Sequence, residues 1–494
     1  MSHTAGTSTG TGSPRIVIIG SGFAGLGMAI QLKRNGFDDF VILEKSHALG
    51  GTWHDNTYPG CACDVPSHMY SFSFELNPGW TRMFAPQPEI RAYLERTADK
   101  YRVRDHIRFG AAVDSMEYDE DRREWKVTLA GGGVLNAKAV VSGVGALHIP
   151  SFPDLPGIER FQGTAFHSAE WDHSYDFAGK RVAVIGTGAS AIQFVPRLAE
   201  RAGRLVVFQR TPPWIQPKPD FEIPKAARML FRTVPGTARA FRNAIYWALE
   251  ARALGFTVHP RLSAPQERMA RRHIARQIED PELRAKVTPD YTIGCKRVLL
   301  ANDYYPALAQ PHVELETAGI AEVRERSIVT SDGREHEVDA IVYGTGFKVV
   351  DAMSEWHIVG RDGVKIQEAW AKGVEAHHGT TLPGFPNLFL MLGPNTGLGH
   401  NSVVFMIEVQ IQHVLSLLRL MRERGAQSVE PRPEAMRAYN DRLQRRLRRA
   451  VWNEGGCDSW YLDDQGVNRT LWPGFTFEFW ARSRKARPEE YVLS

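Results

Sequence analysis

The chain has little cysteine, no long apolar run and almost no net charge, and each shortage narrows what it can be. Four cysteines in 494 residues (Cys61, Cys63, Cys295 and Cys457) are too few for a disulfide framework, and Cys61 and Cys63 read as free thiols. No C-x-x-C spacing occurs, so a dithiol redox centre and a zinc knuckle both lack their minimum ligand pair, and no metal is expected. No unbroken apolar stretch approaches the ~18 residues that cross a bilayer, so no integral membrane association is expected. Residues 1–13 hold no Lys or Arg and no apolar core, which argues against a signal peptide and for a disordered tail. Lys and Arg number 60 against 56 Asp and Glu, too small an excess to imply nucleic acid. What remains is a globular enzyme of ordinary composition, 43% hydrophobic and 23% charged, expected in the cytoplasm. A single core stops growing at ~250–300 residues, so more than one domain is required.

Glycine is the residue in mild excess, 44 in all, and its placement carries the information. A β-branched run at 15–19 leads into Gly20-Ser21-Gly22-Phe23-Ala24-Gly25, a helical stretch, and a strand at 41–43 ending on Glu44. The order recurs at 181–185, Gly186-Thr187-Gly188-Ala189-Ser190-Ala191, a helix, and a strand at 205–208 leading to Arg210 and Thr211. One strand–turn–helix–strand unit used twice predicts an α/β protein with two Rossmann-like dinucleotide-binding domains. The first glycine makes the tight turn, the second lets the backbone approach a pyrophosphate, and the third lets helix pack on strand. Ala191 stands at the third position of the second copy, a small-for-small change.

The residue closing each unit separates the two sites. Glu44 can accept both ribose hydroxyls of an unphosphorylated adenosine, whereas Arg210 can pair with a 2′-phosphate. The first site is therefore expected to hold FAD or NAD and the second NADPH. Gly50, Gly51, Thr52 and Trp53, just after Glu44, favour FAD, as does the late Gly393-Pro394 segment that returns the chain to the first unit. A helix starting near Ser402 and Val403 would bring a positive dipole end to the flavin's pyrimidine edge. The expected organisation is a first part of the FAD domain at 14–150 and an NADPH domain at 151–335 with a helical, arginine-rich insertion at about 213–290. The rest of the FAD domain and a helical tail then occupy 336–494. The insertion's arginines are not interleaved with aromatic stacking platforms, so no nucleic-acid partner is expected.

Two further strings narrow the family. Phe161-Gln-Gly163-Thr-Ala-Phe-His167-Ser-Ala-Glu-Trp171-Asp172 resembles the fingerprint of type I Baeyer–Villiger monooxygenases, F-x-G-x-x-x-H-x-x-x-W followed by Pro or Asp. A second family signature is matched through Gly50, Gly51, Trp53, Tyr58, Pro59, Gly60 and Asp64. The resemblance runs from Ile16 to Trp460. It implies an FAD enzyme that oxidises NADPH, forms a C4a-peroxyflavin with O2, and converts ketones to esters or lactones, with sulfoxidation as a companion activity. The alternative is a flavin monooxygenase acting mainly on sulfides or amines. By the same resemblance Arg297 holds the peroxide and NADP, Asp64 steers that arginine, and Lys296 joins Arg210 at the 2′-phosphate. Trp460 contacts the nicotinamide ribose, and His167 couples linker to domain movement. Tyr70, Val113 and Val403 are further expected FAD contacts, and Gln193 a further NADPH contact. The substrate is expected to be a small hydrophobic ketone or sulfide, and either a monomer or a dimer is compatible with the sequence.

Overall fold

A computed structural model describes residues 16–349, 357–457 and 459–494, so the expected tail at 1–13 lies outside the described residues. The first glycine turn joins the strand Ile16–Ile19 to the helix Phe23–Arg34, and the next strand, Phe40–Leu43, stops one residue before Glu44. Every residue of these strands is buried, as expected of a parallel sheet covered on both faces. That sheet runs in the order Leu388–Leu390, Ala139–Ser142, Ile16–Ile19, Phe40–Leu43, Ile107–Arg108, all parallel. The second sheet repeats the design with Val313–Glu316, Arg204–Phe208, Arg181–Ile185, Ala340–Tyr343 and Thr164–His167. In both, strand order reverses beside the strand that feeds the glycine turn, and doubly wound sheets take nucleotides at that crevice.

Leu388–Leu390 follows every strand of the second sheet in sequence yet pairs with Ala139–Ser142 of the first, so the first unit is split in sequence around the second. The two crossings touch each other. Ser151 N–H donates to Gly346 O at 2.9 Å, Lys348 N–H donates to Ile149 O at 3.0 Å, and Pro150 faces Phe347 in an antiparallel bridge. Between Arg204–Phe208 and Val313–Glu316 lie the helices Lys225–Thr233, Thr237–Glu250, Ala264–Gln277 and Pro281–Val287, where the basic insertion was expected.

The helix Val403–Arg424 begins one residue after its capping Ser402 and lies along Phe23–Arg34. By length and composition it is apolar enough to cross a membrane, but most of it is buried inside the protein, with Gln410 and His413 among its buried residues. The helix Pro433–Leu447 buries Tyr439, Leu443 and Leu447 and leaves Arg442 and Arg445 in solvent, where Arg448 and Arg449 just past its end also lie, a solvated basic surface. The four cysteines divide into two kinds. Cys61 and Cys63 are free and buried, but Cys295 and Cys457 are joined in a disulfide with Cα atoms 6.1 Å apart. Their separation of 162 residues gives the sequence no spacing from which to read the pair.

Candidate active site

At the first turn, close packing decides the third glycine. A Cβ on Gly25 would lie 1.8 Å from Gly20 O, so no side chain fits between strand and helix there. Gly22 is different: a Cβ there would meet nothing nearer than Gly51 Cα at 3.6 Å, which leaves room over the backbone for a phosphate group. Gly188 has the same open face, with Gly344 O at 3.9 Å as its nearest neighbour. Ala191 is tolerated because Gly344, which faces its methyl group, has no side chain; a Cβ there would lie 3.2 Å from the Ala191 Cβ. Both helices begin at these open faces, with their unpaired N–H groups and positive dipole ends directed there.

Glu44 is buried at the end of its strand. Its Oε2 accepts from Ser21 N–H at 2.8 Å and from Ser21 Oγ at 2.6 Å, and its Oε1 accepts from Ser46 N–H at 2.9 Å. The carboxylate is thereby locked at the lip of the first crevice. Ala111 N–H donates to Glu44 O at 2.9 Å, bringing the segment before Val113 to the same lip. Arg210 is exposed at the matching lip of the second crevice, and Thr187 Oγ1 donates to Thr211 O at 3.4 Å beside it. Lys296 lies with its Nζ 5.4 Å from the Tyr291 ring centre, and Tyr291 Oη donates to Pro212 O at 3.0 Å, two residues after Arg210.

Arg297 and Asp64 meet although 233 residues separate them. Nε and Nη2 of the guanidinium both donate to Asp64 Oδ2, at 2.9 and 2.6 Å. Asp64 next to it raises the arginine's pKa further still, against the opposing effect of burial, so its charge is permanent. Around the pair stand Trp53, whose Nε1 donates to Tyr70 Oη at 3.1 Å, and Phe23, whose ring packs edge-on to Tyr70 at 5.1 Å. Thr52 is exposed beside Trp53 and opens the short helix Thr52–Asp55. Val65 and Met69, between Asp64 and Tyr70, pack with Phe405, which places the start of the helix at Val403 against the same wall. Tyr461, fully buried, feels both Arg297 and Asp64; burial pushes its phenol up to about 12 while Arg297 pulls it back. Sequence reasoning missed it and named its neighbour Trp460, which is half exposed, its ring tilted against that of Tyr461 with centres 4.5 Å apart. The aromatic doublet itself was the available signal.

The two family strings meet at the junction of the units. Tyr58 Oη donates to Gln193 Oε1 at 3.0 Å, and Gln193 Nε2 donates to Ala62 O at 3.0 Å. Trp171 packs among Tyr58, Phe166, Phe177 and Phe194. A Cβ on Gly163 would strike Asp339 O and the Phe161 ring at 2.5 Å, which explains Phe-x-Gly as one packed turn. Asp172 accepts from Ser174 N–H and Oγ, closing the loop after Trp171. His167 is wholly buried, with Phe152 of one crossing and Phe347 of the other against its ring at 5.6 and 5.5 Å. Burial lowers its pKa, which favours the neutral ring at pH 7.

Known proteins resemble this arrangement closely. Residues 17–232 match the family model described as pyridine nucleotide-disulphide oxidoreductase, which spans both glycine turns. A Baeyer–Villiger monooxygenase of Pseudomonas aeruginosa is 53% identical over 97% of this chain and 91% of its own length. Another, of Streptomyces coelicolor, is 49% identical over 97% of this chain and 92% of its own length. Among solved structures, closed cyclohexanone monooxygenase superposes with a TM-score of 0.88 at 28% identity, covering 97% of this chain and 99% of that one. Oxidised steroid monooxygenase bound to NADP gives 0.86 at 30% identity, covering 97% and 99%. The paired nucleotide crevices, the Arg297–Asp64 contact and these likenesses over nearly the full length place the chain in the Baeyer–Villiger monooxygenase family.

Proposed function

We propose that the chain is an NADPH- and O2-dependent flavoprotein monooxygenase that converts hydrophobic ketones to esters or lactones. The observation that carries this reading is the Arg297–Asp64 contact beside Tyr70, which fixes a positive charge by joining residues 233 apart in the chain. FAD and NADPH, when bound, supply the redox ring that reacts with oxygen and the hydride that reduces it. The first unit, 14–150 with 336–494, would hold FAD through Gly20, Gly22, Gly25, Glu44, Gly51, Thr52, Trp53 and the helix end at Val403. The second, 151–335, would hold NADPH through Gly186, Gly188, Ser190, Gln193, Arg210 and Lys296.

Arg297 keeps its charge at any working pH and can stabilise negative charge developing on oxygen. Asp64 restrains the guanidinium: with both contacts on one carboxylate oxygen, the arginine can pivot about that oxygen without losing its partner. Tyr461 and Trp460 would close the side of the site away from Tyr70, and the loop at 395–401 would supply further pocket wall. The physiological setting is the cytoplasm, where NADPH is maintained, and the substrates are O2 and a small hydrophobic ketone. The test is NADPH and oxygen consumption against linear, cyclic and aryl ketones and a thioether, with products identified. Ester from a ketone supports the proposal. Sulfoxide from the thioether with no ester from any ketone would replace it with a sulfide-oxidising monooxygenase.

A further inference from the structure

A buried carboxylate in the helical insertion has no place in the chemistry above. Glu250 ends the helix Thr237–Glu250 and is 2% exposed. Its Oε1 accepts from Asn401 Nδ2 and from Thr476 Oγ1, each at 2.7 Å, and its Oε2 accepts the Thr476 backbone N–H at 3.0 Å. The His400 ring, also buried, comes within 3.4 Å of the same carboxylate. Burial opposes the charge, but the nearby His400 ring and the hydrogen bonds from Thr476 and Asn401 prevail and hold the carboxyl below its ordinary range.

Each partner leads to a different element. Asn401 Oδ1 accepts Ser402 N–H at 2.7 Å, and Ser402 Oγ accepts Val404 N–H at 3.2 Å, which is the cap of the helix Val403–Arg424. Thr476 opens the helix Thr476–Ser483, and its Oγ1 lies 3.0 Å from Tyr246 Oη. Tyr246 sits one turn before Glu250 and stacks on Phe405 at 5.4 Å. A further turn back, Arg242 Nη1 donates to Met69 O at 3.2 Å, next to Tyr70, and Nη2 pairs with Glu408 at 3.8 Å. Arg242, Tyr246 and Glu250, spaced four apart, share one helix face, and that face grips the first unit.

We propose that Glu250 is a positioning residue for oxygenation: through Asn401 and Ser402 it fixes the loop at 395–401 and the first turn of the helix Val403–Arg424. The inference rests on the reading that this helix end faces the flavin. A helix terminus stabilises charge only where its N–H groups point, and displacements of about 1 Å at such a site cost on the order of a hundredfold in rate. The insertion of the second unit therefore sets geometry in the first.

The test uses the FAD-loaded protein and Glu250→Gln, which keeps the shape but turns an amide donor toward the donors of Asn401 or Thr476. Two readouts apply: hydrogen–deuterium exchange over 395–405, and hydrogen peroxide released per ester formed. Loss of a charged hydrogen bond predicts roughly tenfold or greater faster exchange at the first amides of the helix. Peroxide should rise at the expense of ester while the ketone KM moves little. The reciprocal swap, Glu250→Gln with Asn401→Asp, restores a carboxylate–amide pair and should return both readouts toward wild type. Unchanged exchange or unchanged coupling in Glu250→Gln overturns the proposal. If that variant does not fold, Thr476→Val removes one donor and should move both readouts the same way by less; no movement there overturns it equally. A wild-type protein that makes no ester from any ketone refutes the functional reading, and the exchange measurement alone still decides whether Glu250 holds the loop.

Discussion

Replacing Arg297 with alanine separates stability from chemistry. The side chains of Arg297 and Asp64 keep 41% and 25% of their exposure, so the pair is solvent-screened. Half-open ion pairs contribute about 0–1 kcal/mol. In a chain of this size that corresponds to a melting shift of about 2 °C or less. The effect on reactivity is much larger. A preorganised donor facing developing negative charge supplies about 3–4 kcal/mol, so ester formation should fall roughly 100- to 1,000-fold. Arg297→Lys retains a charge but cannot reproduce both contacts to Asp64 Oδ2, at 2.9 and 2.6 Å, and should fall between the two. The assay follows ester by gas chromatography alongside NADPH consumption, with a thermal melt of the FAD-loaded variant as control. NADPH oxidation that yields peroxide, with a nearly unchanged melt and little ester, is the expected pattern. Ester formed by Arg297→Ala at the wild-type rate would refute the role assigned to the guanidinium. A collapsed melting temperature would instead show that the contact is structural.

Further measurements probe other parts of the molecule. Arg210→Glu should lower the preference for NADPH over NADH, read as a ratio of kcat/KM values; an unchanged ratio would remove Arg210 from the 2′-phosphate. His68 is buried with no hydrogen-bond partner on either ring nitrogen, and burial, with Arg242 adding, pushes its pKa from 6.5 down to about 4. The unfolded chain takes up that proton first, so stability should fall as pH drops from about 6.5 to 4, by about 1.4 kcal/mol per pH unit from this residue. His68→Phe should flatten that part of a melting-versus-pH curve, and a superimposable curve would count against it. Thiol titration of the unfolded chain should find two cysteines, Cys61 and Cys63, before reduction and all four after it, and four at the outset would exclude the Cys295–Cys457 bond.

The parts of the site legible in the sequence are those encoded at fixed short spacing. Glu44 and Arg210 could be read because each stands 24 residues after the first glycine of its turn, where strand geometry brings it to the nucleotide lip. The strand at 139–142 was legible from its β-branched run, as was the one at 181–185. Arg297 and Asp64 were reached through family resemblance, since nothing local tells an arginine that its partner lies 233 residues away. The same limit hid the Cys295–Cys457 bond and the hold of Glu250 on Asn401, 151 residues apart. Glu250 was hidden doubly, as one acid in a stretch read for its arginines. Gln193 and Tyr58 were each singled out, but that they bond to one another is a property of how two units dock, which neither local pattern contains.

The paired crossings at 149–151 and 345–348 have a consequence for modularity. Because the chain leaves the first unit and returns to it at adjacent points, the second unit hangs from a two-stranded stalk. A nucleotide module attached in this way can be exchanged for another without rethreading its host, since the host's cut ends are already neighbours. With NADPH held by the second unit as proposed, coenzyme preference becomes a transplantable property. The graft has one condition: Arg242 and Glu250 must travel with it or be supplied anew, because the host's wall at Met69 and its loop at Asn401 are completed by those two side chains.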